Sequence, residues 1–539
     1  MAVEEQANRA SGLARSFVRT CKKRKRGTKI ADSLGNELSG GGLLTRSLIL
    51  RRLLARHVLA DDESFVGLLL PPSVAGVVAN MASALARRVP INLNYTVTSE
   101  VINECIRQAG IRHVLTSRQF MEKIKLEVDA ELVYLEDFRS KAGAWDKLAC
   151  AIAAYGVPAA LIERSLGLHR ITGDDLATIV FTSGSTGIPK GVMLTQTNIG
   201  SNVDAIEQII HLHRSDVLVG ILPFFHSFGY TVCLWTVMCL DVQGVYHFNP
   251  LEAKQVGKLV KKHGGTVLLA TPTFLRSYLR RCETDELATL DAIVTGAEKL
   301  PRDLADAFEA KFGLRPVEGY GTTELSPIVS ANIPPSRSPS TSVSGCKDGT
   351  VGRPAPGIRA KVTDLDSGVE LGVGRPGMLW IKGPNVMKGY LGREDLTSDV
   401  IKDGWYMTGD IALIDEEGFI QITGRQSRFS KIGGEMVPHL LIEEALARVI
   451  GADEEEGFRA VVTAVTDERK GERIVVLHTA ISKTPEELRR GLSEVGLPNL
   501  FIPSEDSFYQ VESIPVLGTG KLDLRGVKQI ALKVSESRE

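Results

Sequence analysis

Between positions 182 and 191 the chain reads Thr182-Ser183-Gly184-Ser185-Thr186-Gly187-Ile188-Pro189-Lys190-Gly191. Hydroxyls, glycines and one lysine follow the apolar run 177–181. Glycine lets backbone N–H groups approach phosphate oxygens, and the hydroxyls and the lysine add donors and positive charge. The loop is therefore expected to cradle a polyphosphate. It is not a Walker A loop, which ends in G-K-[ST]. Here Pro189 precedes Lys190 and Gly191 follows it, which excludes a P-loop phosphotransferase.

Further groups lie downstream: Gly319-Tyr320-Gly321-Thr322-Thr323-Glu324, Tyr406-Met407-Thr408-Gly409-Asp410, Gly424-Arg425 and Gly518-Thr519-Gly520-Lys521. They supply an aromatic face, two carboxylates, an arginine and a lysine on a glycine-rich loop. A carboxylate beside polyphosphate is usually a Mg²⁺ ligand, the role expected of Glu324. A carboxylate after Thr-Gly, such as Asp410, can accept from ribose hydroxyls. Taken singly, each has an equal structural reading: Asp410 as a turn cap, Lys521 as a solvated loop residue. The segment Pro223-Phe224-Phe225-His226-Ser227-Phe228-Gly229-Tyr230, followed by apolar 232–240, could wall a pocket for a long apolar ligand. Core packing explains its phenylalanines equally well.

These groups need a scaffold, and the pattern around them supplies one. Short apolar runs (65–70, 113–116, 177–182, 217–221, 266–270, 292–295) alternate with helical stretches (42–57, 74–86, 100–110, 255–262, 302–312). Such alternation predicts parallel βαβ units. After a Pro/Ser-rich loop at 333–346, glycine-punctuated short strands dominate 351–423 and predict an antiparallel subdomain. A smaller α+β unit follows from about 425.

The chain has 539 residues, enough for two to four domains. Its 64 Lys+Arg against 65 Asp+Glu argue against a nucleic-acid binder. The balance conceals an uneven distribution. Nine Lys/Arg and two Glu in the first thirty residues make a +7 head, read as a solvated run that suits contact with an anionic membrane. Seven cysteines with no C-x-x-C, and no secretory signal near Met1, point to a reducing cytoplasm. The uncharged stretches 65–86 and 217–240 are long enough to span a bilayer. Pro71-Pro72, Pro223 and Gly229 break them, and a buried α/β core is the expected reading.

In this order the motifs resemble the adenylate-forming superfamily: acyl-CoA synthetases, luciferases and peptide-synthetase adenylation domains. The resemblance runs from about residue 25 to the end. Within the superfamily the chain is most similar to acyl–acyl carrier protein (ACP) synthetases, including the synthetase part of the bifunctional acyltransferase type. That likeness rests on Gly67-Leu68-Leu69-Leu70-Pro71-Pro72-Ser73, Val89-Pro90-Ile91-Asn92-Leu93-Asn94-Tyr95-Thr96, Gly296-Ala297-Glu298-Lys299-Leu300 and, most discriminating, Arg428-Phe429-Ser430-Lys431-Ile432-Gly433-Gly434-Glu435-Met436-Val437-Pro438.

The resemblance implies an α/β fold: a large N-terminal domain, 1–424, of layered βαβ subdomains with a β-barrel-like subdomain at about 345–424, then a mobile α+β cap, 425–539. It implies ATP and Mg²⁺ as cofactors, with Thr182, Ser183, Gly184, Ser185, Thr186, Gly187 and Lys190 as the phosphate loop. Gly296, Ala297, Glu298, Gly319, Tyr320, Gly321 and Thr322 would form the adenine site, with Tyr320 stacked on the base. Glu324 would hold Mg²⁺, and Asp410 with Arg425 the ribose. Lys521 would bridge the acyl carboxylate and α-phosphate in adenylation. Ser427 stands at the hinge position, where many relatives carry Asp or Lys, and Lys431 matches a lysine used in the thioester half. Phe225, His226 and Tyr230 would line the acyl pocket, His226 near the carboxylate and Tyr230 as an aromatic gate. The implied reaction activates a medium- or long-chain fatty acid as acyl-AMP and transfers it to the thiol of ACP, or alternatively of CoA. No cysteine is expected to act as a nucleophile.

Overall fold

The apolar runs separated by helices become the inner strands of a nine-stranded sheet. In the computed structural model, which describes residues 12–182, 188–338, 345–432, 435–451, 459–467, 471–516 and 522–536, its order is Arg353–Pro354, Ile328–Ala331, Val317–Gly321, Ala292–Thr295, Val267–Ala270, Val217–Gly220, Gln243–Tyr246, Thr28–Asp32, Glu37–Ser39. The six strands from Val317–Gly321 to Thr28–Asp32 run parallel, and the outer pairs are antiparallel. Inner strands such as Val217–Gly220, Val267–Ala270 and Ala292–Thr295 are buried at every residue. This is the mark of a parallel sheet covered on both faces.

A second parallel sheet orders Val89–Asn92, Phe65–Leu68, His113–Thr116, Glu131–Tyr134. The uncharged stretch 65–86 resolves into the strand Phe65–Leu68 and the helix Val74–Leu85, where the Ser73 side chain caps the Gly76 N–H. The stretch 217–240 resolves into the strand Val217–Gly220, a π-helical segment Phe228–Trp235 and a last turn, Thr236–Cys239. Among the described residues no helix is long and apolar enough to cross a membrane.

A three-stranded antiparallel sheet pairs Leu176–Thr182 with Lys190–Thr195 and the latter with Gly389–Tyr390. The β-rich stretch yields Arg359–Thr363, Gly377–Lys382, Ile401–Lys402, Trp405–Ile414 and Ile420–Arg425, which form one five-stranded sheet.

The chain divides into two units. The first comprises Met1–Lys361, Trp380–Thr408 and Ile414–Gln421; the second comprises Val362–Leu379, Gly409–Leu413 and Ile422–Glu539. The C-terminal part of the second unit is built on the hairpin Ala460–Asp467 and Gly471–His478. Side chains alternate across it with period two. Val462, Ile474 and Val476 pack against Ile442, Leu446, Leu488 and Leu492. Val461, Val465, Val475 and Leu477 pack against Val527 and Ala531.

The basic head differs from a solvated run. Arg15 and Arg19 pair with the buried Glu163 at 3.2 and 2.7 Å. Lys22 donates to the carbonyls of Ala153 and Val157, at the end of the helix Ala144–Tyr155 where carbonyls lack partners. Lys29 is wholly buried and donates to the carbonyls of Leu240 and Val242. Charge counting along the sequence does not register these acceptors, which come from distant parts of the chain.

Candidate functional site

Ligands of open α/β sheets bind beyond the carboxyl ends of the strands. In the first unit the segments leaving the adjacent strands Val267–Ala270, Ala292–Thr295 and Val317–Gly321 are Thr271–Thr273, Gly296–Glu298 and Thr322–Glu324. The last two carry motifs that the sequence marks as candidate site residues. Gly321 packs so closely that a Cβ there would lie 2.0 Å from the Pro327 carbonyl oxygen, and one on Gly296 would lie 3.2 Å from the Phe228 ring. Ala297 sits at φ +68° between them. Glu298 accepts hydrogen bonds from the Thr273 N–H and hydroxyl at 3.3 and 2.7 Å, a partner the sequence did not indicate. The Thr322 hydroxyl is buried with no protein partner.

Glu324 lies on a single turn, Thr323–Leu325, that is held from several directions. Its carbonyl accepts from the Met387 N–H at 2.8 Å. Asn385 donates to the carbonyls of Leu325 and Ile328, and Asn202 accepts from the Ile328 N–H at 2.7 Å. The Tyr390 hydroxyl donates to the Glu324 carboxylate at 2.9 Å. The Lys190 Nζ stands 4.8 Å from the centroid of the same Tyr390 ring. Lys190 pairs with Thr182 across the two strands that flank the glycine/hydroxyl loop, and Tyr390 pairs with Val192 on Lys190's strand. Burial, with the Glu324 charge adding to it, pushes the Tyr390 and Tyr406 phenols well above their ordinary range. Both therefore stay protonated. Ser183, Gly184, Ser185, Thr186 and Gly187 lie outside the described residues.

His226 is exposed and its ring lies 4.5 Å from that of Phe225, which is buried against Tyr95. The adjoining Ser227 donates to the Thr323 hydroxyl at 3.3 Å, which ties the His226 segment to the Glu324 turn. Tyr230 is placed differently from a gate. It is fully buried, its hydroxyl donates to the Ala177 carbonyl at 3.2 Å, and its ring meets Trp235 edge-on. The six cysteines 21, 105, 150, 233, 239 and 282 are buried, and burial pushes the thiols of Cys21, Cys105 and Cys233 up to about 12.

In the second unit Asp410 and Arg425 are joined, Nε to Oδ1 at 2.9 Å. The carboxylate is nearly buried, whereas the arginine is largely exposed. Gly409, at φ +75°, and Asp410 lie within the strand Trp405–Ile414, so Asp410 caps no turn. Ser427 falls in a 3-10 turn, Gln426–Arg428, and Lys431 on the strand Phe429–Ile432; the side chains of both lie outside the described residues. Lys521 also lies outside them.

The sequence assigns no role to two residues of this cluster, Tyr390 and Tyr406. Tyr406 stood in a quoted motif, whereas for Tyr390 only the glycine before it, at φ +144°, marks the position.

Comparison with known proteins gives the family and the fold of the chain. A long-chain-fatty-acid–CoA ligase of Yersinia pestis is 31% identical over 376 residues, 68% of this chain and 63% of that protein. One from Bacillus subtilis is 32% identical over 324 residues, 58% of this chain and 55% of that protein. The matches thus span less than two thirds of these two relatives. A 4-coumarate–CoA ligase 5 of Oryza sativa subsp. japonica is 28% identical over 526 residues, 94% of this chain and 93% of the relative. Among solved structures, an ATP-bound RpMatB-BxBclM chimera superposes with TM-score 0.77 at 25% identity, covering 97% of this chain and 99% of its own. The o-succinylbenzoate CoA synthetase of Bacillus subtilis, with its acyl-adenylate bound, shares the fold at TM-score 0.77 and 22% identity over 95% of this chain and 97% of its own. The model of the AMP-binding enzyme family matches residues 17–391, and the chain belongs to that family.

Proposed function

We propose that the protein is an AMP-forming ligase that activates a medium- or long-chain fatty acid with ATP and passes the acyl group to a phosphopantetheine thiol. The carrying observation is the cluster at the end of the phosphate hairpin, where Tyr390 joins the Glu324 carboxylate to the Lys190 ammonium. A carboxylate and a cation held beside such a loop suit a metal-bound triphosphate. Mg²⁺ keeps several waters and takes one or two carboxylates plus phosphate oxygens, so a lone Glu324 fits its demand. The partnerless Thr322 hydroxyl adds a donor beside it. When bound, Mg²⁺ would neutralise charge on the phosphates.

The chain's own residues then have separable tasks. Lys190 adds positive charge at the phosphates. Asp410, oriented by Arg425, accepts from the ribose hydroxyls. Lys521 serves as the cation for the acyl carboxylate and α-phosphate in adenylation, where positive charge stabilises the transition state more than the repelling ground state. The carboxylate attacks the α-phosphorus and pyrophosphate leaves; the thiol then attacks the acyl-AMP carbonyl and AMP leaves. The cap, 425–539, turns about Ser427 between the halves, removes Lys521 and brings Lys431 to the thioester step. Few residues need change backbone conformation for such a hinge.

Relatives named as CoA ligases favour CoA as the acceptor. The likeness of 428–438 to acyl-ACP synthetases favours ACP. Incubation with ATP, Mg²⁺, labelled palmitate and either CoA or holo-ACP decides. AMP and a labelled thioester are expected. Label on CoA alone removes the ACP reading, label on ACP alone removes the CoA reading, and no thioester on either overturns the proposal.

A further inference from the structure

The helix Ala144–Tyr155 is exposed on the wrong chemistry. Its buried side carries Asp146, Cys150 and Ala154. Asp146 pairs with Arg52 and Arg56 of the helix Gly40–His57. The opposite side carries Trp145, Leu148, Ile152 and Tyr155, spaced three and four apart and therefore in one stripe. Trp145 is 83% exposed and Ile152 55%. An apolar stripe facing water on a helix is unusual for a protein acting alone.

Neighbouring elements line a cation-rich pocket. On the next helix, Ala159–Ser165, the exposed Leu161 is followed one turn later by the exposed Arg164, which lines a cavity of about 350 Å³. Arg51, Arg87, Arg88 and Arg170 line it too, with Asp61 the one acidic residue on its wall. Among the described residues none of these five arginines forms an ion pair with an acid, whereas Arg52 and Arg56 beside them do. The Nε atoms of Arg51 and Arg88 are buried with no hydrogen-bond partner. Burial, with repulsion from Arg52 and Arg87 added to it, lowers the Arg51 pKa. Arg88 also donates to the carbonyls of Ala60 and Asp61 at 3.1 and 3.3 Å. A cluster of guanidinium groups without a carboxylate ion-pair partner is a receptor for phosphate oxygens. The pocket lies before the strands Phe65–Leu68 and Val89–Asn92, at their amino ends, away from the carboxyl-end segments of the candidate site.

We propose that this face docks the protein on an anionic lipid surface, the arginine pocket taking a headgroup phosphate and Trp145, Leu148, Ile152 and Leu161 entering the acyl boundary. An interfacial helix combines an apolar face with neighbouring cations in this way, and tryptophan and tyrosine favour the headgroup level. A free phosphate would leave the apolar stripe unexplained. A second copy in an isologous contact would bring the arginines toward their own duplicates. This docking does not depend on which thiol accepts the acyl group.

The test is flotation of the full-length protein with vesicles of phosphatidylglycerol and phosphatidylcholine, against phosphatidylcholine alone, at low and high salt. Binding to the anionic vesicles that weakens with salt is expected. Arg164→Glu with Arg170→Glu should lower it by roughly fivefold or more per arginine. Trp145→Ala with Leu148→Ala and Ile152→Ala should lower it on the order of tenfold by removing buried apolar area. Both variants alter exposed side chains, and thermal midpoints and AMP formation with a water-soluble octanoate should match the parent. Equal binding to both vesicle types, or none, overturns the proposal. So does protection by inorganic phosphate without vesicle binding (a free-anion site), a dimer that Trp145→Ala dissociates, or loss of holo-ACP binding in the arginine variant while vesicle binding persists.

Discussion

The Tyr390 hydroxyl is committed to the Glu324 carboxylate at 2.9 Å, while the opposite chemistry, the Lys190 ammonium, rests on the same ring. One aromatic side chain thus contacts both an anion and a cation. Tyr390→Phe preserves the ring and removes the donor. A hydrogen bond to a charged group contributes about 1.5–3 kcal/mol, so acyl-AMP formation should fall ~10- to 100-fold. The loss should be partly recovered at high Mg²⁺, because the freed carboxylate turns toward solvent. An unchanged rate in a Mg²⁺ titration would remove Tyr390 from the site.

Asn385 is the buried clamp of the Glu324 turn, donating to two carbonyls that have strand and turn positions to hold. Asn385→Ala strands both acceptors and opens a cavity. Denaturant unfolding of the first unit should show a loss of about 2–4 kcal/mol. Stability within about 0.5 kcal/mol of the parent would mean that water replaces the amide without cost.

Burial pushes the Glu318 carboxyl from its ordinary 4.5 up to about 7, against a hydrogen bond from the Leu300 N–H and the charge of Lys299. The folded pKa exceeds the unfolded one, so the native state binds more protons between those values and stability falls as pH rises through them. Glu318→Gln removes that slope. The variant should match the parent at pH 4 and exceed it at pH 8 by on the order of 2 kcal/mol in thermal or urea unfolding. A parallel pH profile for the two proteins would contradict this assignment.

Much of the scaffold is visible in the sequence because its signals are local. The strand Ala292–Thr295 and the helix Arg302–Phe312 stand where short apolar runs and helical spacing put them. Glu324 is visible for the same reason, since Gly319-Tyr320-Gly321-Thr322-Thr323 leads directly into it. Tyr390 is not visible. It reaches Glu324 from a two-residue strand that gains its place only by pairing with Lys190's strand. The same limit hides the acceptors of Lys22 and Lys29, which are backbone carbonyls from far along the chain. Tyr230 shows the converse: its motif suggests a ligand wall, but its hydroxyl is taken by Ala177 inside the core.

The C-terminal unit carries its own prediction. Lys521→Ala should abolish fatty-acid-dependent pyrophosphate exchange into ATP, yet leave thioester formation from supplied acyl-AMP within about threefold, because a transition-state cation is needed in one half only. Equal loss of both halves would sink the account in which the cap alternates between two arrangements.

The most direct test of the central claim is the adenylation half-reaction itself. With ATP, Mg²⁺ and a panel of fatty acids from octanoate to stearate, the protein should exchange labelled pyrophosphate into ATP without any thiol present, and exchange should be strongest with medium or long chains. No exchange and no AMP formation with any fatty acid would contradict it.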